Sequence, residues 1–113
     1  MKHTSLSQAE VIQNENVTAR EYDNAAAKLN VAHIKITGRY PNTGFTYNRE
    51  VDSVIHVLSG QGILGQKEGA AISLKQHDQI HLAAGDRYFF EGTLEVLYAA
   101  TPKWTPEQAV HSN

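Results

Sequence analysis

Short runs of alternating apolar and polar residues, broken by turn signals about every eight to twelve positions, run through most of this chain. From Val31 to Thr37 the alternation places Ala32, Ile34 and Ile36 on one face and His33, Lys35 and Thr37 on the other. Gly38 to Gly44 reads as a turn-rich loop and Phe45 to Asn48 as a short strand. Val54 to Leu58 is apolar on both faces except at His56, the pattern of a central strand covered on both sides. Gly60 to Gly62 reads as a tight turn. Lys67, Glu68 and Gly69 form the apex of a hairpin between residues 63–66 and 70–74. Strands near Asp78 to Leu82, Tyr88 to Phe90 and Leu94 to Ala99 complete the set. A chain built this way closes into a sandwich or a barrel.

Helical signals are weak. Glu21 to Leu29 is either a turn or two of helix or a loop joining an early strand near Val17 to the one at Val31. After Pro102 the tail reads as an extended arm that packs Trp104 against the barrel. The 113 residues fit a single domain, with a core barrel over about 30–100, an N-terminal strand or arm over 1–29 and a C-terminal arm over 101–113.

Composition excludes several chemistries. With no cysteine there are no disulfides, thiolate metal sites or thiol nucleophiles. At a net charge of -2 with signs interspersed, no basic stripe invites nucleic acid and no polybasic run suggests a membrane surface. The first ten residues carry no apolar leader and no apolar run approaches bilayer length, so a soluble, cytoplasmic protein is expected. No Ser-His-Asp spacing, nucleophile elbow or phosphate-binding loop is present. Strand alternation sets His33, His56 and His81 opposite their apolar neighbours, pointing out of a barrel, unless a bulge reverses the parity.

The stretch from Asn48 through Val54-Ile-His-Val-Leu-Ser-Gly-Gln-Gly62, followed by Asp78-Gln-Ile-His-Leu-Ala-Ala-Gly85 and Tyr88, resembles the two halves of a cupin barrel. More narrowly, Gly38-Arg-Tyr-Pro41, Gly60-x-Gly62, Tyr88-Phe-x-Glu-Gly92 and Thr101-Pro-x-Trp-x-Pro-Glu-Gln108 resemble a group of small single-domain cupins. The resemblance implies an all-β fold, the cupin-type double-stranded β-helix or jelly-roll barrel. Cupin halves usually carry two histidines and a glutamate, then a third histidine. Here the glutamate position falls on Ser53 and the paired histidines on Tyr47 and Arg49, or on Thr46 and Asn48. The last histidine falls on Tyr88. Hydroxyl and amide groups at these places are poor ligands for first-row divalent ions, so no metal and no cofactor is expected.

What the resemblance then implies is a barrel mouth lined by Tyr47, Asn48, Ser53 and Tyr88, with Arg39 and Tyr40 at its rim. Such a set suits a small polar metabolite, a sugar or an organic acid. Whether the tyrosines contact a ligand or merely fill the barrel stays open. So does the choice between a binding module, a metal-independent isomerase, epimerase or lyase using pocket tyrosines and a carboxylate, and a dimeric scaffold without ligand. A homodimer is expected, with Val54, His56 and Leu58 in the contact. No catalytic residue is assigned.

Overall fold

A computed structural model describes residues 1–113. Its strands are β1 (Glu10–Asn14), β2 (Val17–Tyr22), β3 (Asn30–Tyr40), β4 (Phe45–Asn48), β5 (Asp52–Gln66), β6 (Ile72–Lys75), β7 (Gln79–Leu82), β8 (Tyr88–Thr101) and β9 (Ala109–Ser112). Two single 3-10 turns are the only helical pieces, and no helix is long and apolar enough to cross a membrane.

All strands join one antiparallel sheet, with β8 as its axis. On one side β8 pairs with β3 from Asn30↔Ala100 to Tyr40↔Phe90. On the other it pairs with β5 from Asp52↔Thr101 to Gln66↔Tyr88. The β1–β2 hairpin extends the sheet beyond β3, and β4 and β9 extend it past the Tyr88 end of β8. Side chains of β1 and β2 nevertheless share one cavity with those of β8, although β3 lies between them. The sheet is therefore strongly curled, in keeping with the twist and closure of barrels.

Period-two burial explains the core. Along β8, Tyr88, Phe90, Leu94, Val96, Tyr98 and Ala100 are buried, while Glu91, Thr93, Leu97 and Thr101 are exposed. In β5 the inward set is Ser53, Ile55 and Val57, yet further on it is Leu64. A register slip between Val57 and Ser59 leaves Leu58 as the extra residue, and that bulge inverts the parity. Leu58 is consequently exposed, and Val54 and His56 are only half-buried, so this strand is not covered equally on both faces.

Two expectations need correction, and of the two alternatives for Glu21 to Leu29 the loop is the one present. Gly60 to Gly62 is not a turn but lies inside β5, which runs on to Gln66. A side chain on Gly60 or Gly62 would run into the Thr93 and Glu91 carbonyl oxygens of β8, so the glycines permit close strand approach within a sheet. Glu21 to Leu29 holds no helix: β2 runs to Tyr22, and Asn24 ties the following loop by accepting from Ala26 N (2.8 Å) and donating to Leu29 O (2.9 Å). The C-terminal arm does pack Trp104 against the core, but it then adds strand β9 alongside β4.

Candidate functional site

Inside the curl lies a cavity of about 410 Å³. Its wall is mainly apolar, with Val17, Ile34, Ile36, Ile55 and Val96 among the contributors, and the rings of Tyr40, Tyr88, Phe90, Tyr98 and Trp104 face it. Exposed Gln13, Asn14 and Pro106 mark where it meets solvent. Strand alternation selects these residues: on β2 the inward positions are Val17, Ala19 and Glu21, on β8 Tyr88, Phe90, Val96 and Tyr98.

Glu21 brings the lumen its one carboxylate. Its Oε2 accepts a hydrogen bond from Asn30 Nδ2 (3.0 Å). Burial pushes the carboxyl pKa above its ordinary value of 4.5; the Asn30 bond opposes this, and the charge of Glu10, its partner across β1–β2, adds to it. Asn30 and Asn48, each 8% exposed, also fix Trp104: Asn30 Oδ1 accepts from the Trp104 backbone N and Asn48 Oδ1 from the indole Nε1, both at 3.1 Å.

The three phenols of the lumen are pushed toward their neutral form. Burial raises the Tyr88 pKa well above its ordinary 10, and neighbouring Tyr98 and Tyr40 reinforce this. Burial likewise raises Tyr98 to about 12, against a smaller opposing influence from Ser53 and Asn48. Those two groups stand near the Tyr98 hydroxyl without meeting hydrogen-bond geometry, so Tyr98 Oη is buried and unpartnered. Tyr40 is raised by burial and by Glu15, and lowered by a bond with Asn14. At neutral pH these hydroxyls donate protons or hydrogen bonds and do not act as bases.

Of the residues singled out from the sequence, Tyr40, Asn48 and Tyr88 line the cavity, and Arg39, Tyr47 and Ser53 do not. Arg39 alternates with Tyr40 and turns away; its guanidinium donates to Pro41 O (2.6 Å) and Gly44 O (3.0 Å) and stacks 3.9 Å above the Phe89 ring. On β4 the buried positions are Thr46 and Asn48, which leaves Tyr47 on the opposite face under Arg87, 5.1 Å from its ring centre. Ser53 is buried on the inward face of β5 but outside the cavity wall, and donates to Leu82 O (3.4 Å). Glu21, Tyr98 and Trp104 complete the wall. A carboxylate at the end of the alternating set Val17, Ala19, Glu21 was the signal for the first, hidden by reading Glu21 as the start of a helix or loop.

A cupin metal would sit in such a lumen, so the donors there test whether one fits. The wall offers one carboxylate and no imidazole or thiolate, and nowhere do three or more His, Cys, Asp or Glu side chains come together. That set does not fit a first-row divalent ion. The strand histidines lie elsewhere: His33 pairs with Glu95 (2.6 Å), His81 with Asp52 (2.5 Å), and the His56 ring lies 6.3 Å from that of His77.

By sequence, the chain matches no family model and no curated protein. Its architecture matches solved structures closely. Pac13 of Streptomyces, a nucleoside dehydratase solved with uridine, is similar with a TM-score of 0.87 at 16–17% identity, over 100% of this chain and 92% of that one. Ectoine synthase from P. lautus is similar at 0.80 and 10% identity, over 100% and 91%. The polyketide cyclase RemF from Streptomyces resistomycificus is similar at 0.78 and 16% identity, over 100% and 86%. A curled antiparallel sheet that matches these structures over its whole length gives the chain the fold of a small cupin.

Proposed function

We propose that this protein binds a small molecule inside the barrel lumen, without a metal ion. The observation carrying this reading is the 410 Å³ cavity, apolar for most of its wall, into which a few polar side chains converge. Its size suits one metabolite. Asn48, Tyr88 and Glu21 supply hydrogen-bonding groups against apolar and aromatic surface, an arrangement that fixes a ligand's orientation. The similarity to Pac13 supports including nucleosides among the candidates. A thermal-shift screen with nucleosides, sugars and organic acids tests the reading, because a ligand of the native state raises its melting temperature by mass action. Trp104, the sole tryptophan, lines the lumen and should report the same ligands through its fluorescence. An Ala19→Phe variant, which projects a ring into the cavity without adding a second tryptophan, should abolish both signals; equal responses in that variant would refute lumen binding.

A second reading, a metal-independent isomerase or lyase, is favoured by one arrangement: a buried carboxylate with a raised pKa shares the lumen with neutral phenols. In that reading Glu21 is the base and Tyr88 the acid. Turnover that disappears in Glu21→Gln and Tyr88→Phe, while ligand binding persists, would establish it.

We also infer a homodimer through the outer face of β3, β8 and β5, where Leu58 and Leu97 stand exposed beside half-buried Val54, His56 and Ala99. Sedimentation of Leu97→Glu against the unaltered protein tests this, with a monomeric variant as the expected result.

A further inference from the structure

The charge inside the lumen is one-sided. Glu21 lines it, and no lysine, arginine or histidine does. Outside the wall the imbalance continues: Glu10 stands opposite Glu21 across β1–β2, and Glu15 is near enough to Tyr40 to hold back its ionisation. Cationic side chains on the adjoining segments are turned away or engaged. Arg20 alternates outward on β2, and Arg39 is held by two carbonyls and the Phe89 ring. Lys103 donates to Asn24 O at 3.3 Å.

Within Glu21 the two oxygens differ. Oε2 is occupied by Asn30, and Oε1 has no partner in the protein. The register sets Glu21 beside Ala32 and Tyr98 at one end of the cavity, whose wall also carries the rings of Tyr40, Tyr88, Phe90 and Trp104. The Tyr98 phenol stands near enough to Glu21 for the carboxylate charge to hold back its ionisation.

We propose that the ligand of this lumen is an organic cation, a small amine whose ammonium group pairs with Glu21 Oε1 and whose apolar body packs against the aromatic wall. This deepens the reading of the lumen as the binding site and rests on it. Three ligand classes fare differently there. An anion would place two like charges in a desolvated space with no counter-ion. A neutral ligand would expel water from Glu21 and leave its charge uncompensated. An ammonium supplies the missing counter-charge, makes a charge-assisted hydrogen bond and gains from the ring faces. The organic acids suggested by the hydroxyl-rich motif positions are therefore the disfavoured class.

Two matched series distinguish these cases: 2-phenylethylamine, 2-phenylethanol and phenylacetate, and cyclohexylmethylamine, cyclohexylmethanol and cyclohexanecarboxylate. Binding to the intact protein is measured by calorimetry and by Trp104 fluorescence, and repeated on Glu21→Gln and Ala19→Phe. In each series the amine should bind about tenfold more tightly than the alcohol, a charge-assisted contact being roughly twice as strong as a neutral one. The acid should bind weakest of the three. Glu21→Gln should bring the amine down to the level of the alcohol, and Ala19→Phe should remove all binding. If alcohol or acid matches the amine, or if the amine's advantage survives Glu21→Gln, the cation inference fails while lumen binding stands. Silence from all six compounds on the intact protein overturns both. Should Glu21→Gln fail to fold, the order of affinities in the intact protein decides alone.

Discussion

Glu21 is held between opposing influences, and its titration is visible in stability as well as in binding. Burial and the facing Glu10 favour its neutral form, while the Asn30 amide favours the carboxylate; burial dominates and the folded-state pKa lies above 4.5. A carboxyl raised in this way stabilises the fold in full below its unfolded value and loses that contribution as pH rises through the folded one. Glu21→Gln removes the titration but keeps an oxygen that Asn30 can donate to. The variant's melting temperature should therefore gain on that of the unaltered protein between pH 4 and pH 8, by a few degrees at most. Parallel melting curves at the two pH values check this, and a constant difference between the two proteins would contradict it. The same residue shows where sequence reading loses its grip. Asn48 and Tyr88 were reachable because motif spacing points at strand positions that face the lumen, and Tyr40 because it ends the strand before them. Arg39 and Tyr47 miss it by one position each, and in a strand one position is the opposite face.

Between β5 and β8 the glycines do different jobs, and substitutions should separate them. Gly92 lies opposite Gly62 with φ of 135°, and a Cβ there would meet Gln61 O and the Gly62 Cα. Gly85, with φ of 87°, has open space around it. Gly85→Ala should cost only the left-handed backbone penalty, about 1–2 kcal/mol. Gly92→Ala adds a main-chain collision that cannot be relieved by turning a side chain, and should cost more than about 3 kcal/mol. Urea unfolding of both variants gives the comparison; equal losses would mean that the strands separate freely. Strand β3 was legible from apolar alternation because it buries Ala32 and Ile36 on one face, whereas β5 and β8 showed only as shorter pieces, broken at Gly60–Gly62 and between Phe90 and Leu94. Gly60 and Gly62 looked like a turn because glycine marks turns and tight strand packing alike. The β1–β2 hairpin was harder to see. Its sequence carries Gln13, Asn14 and Asn16, which face the cavity mouth or the solvent instead of a core.

The molecule as a whole divides its labour between its middle and its ends. Strands β3, β5 and β8 hold most of the buried core, whereas two terminal segments close the lumen: the β1–β2 hairpin brings Glu21, and the arm after Pro102 brings Trp104, Pro106 and Ala109. Binding and folding can therefore be separated by cutting the chain. Ending it after Pro102 removes Trp104, the strand β9 beside β4, and the partners of Asn30 Oδ1 and Asn48 Oδ1. Trp104 is only half-buried and packs on the edge of the core, so the loss should be about 2–4 kcal/mol and the sheet should survive. The shortened protein should keep a cooperative melting transition at a lower temperature and its strand-rich circular dichroism. It should lose the thermal shift given by ligands, because one wall of the cavity is gone. A truncated chain that still shows the full shift would place the ligand outside the lumen. One that loses its sheet altogether would show that the arm belongs to the folding core.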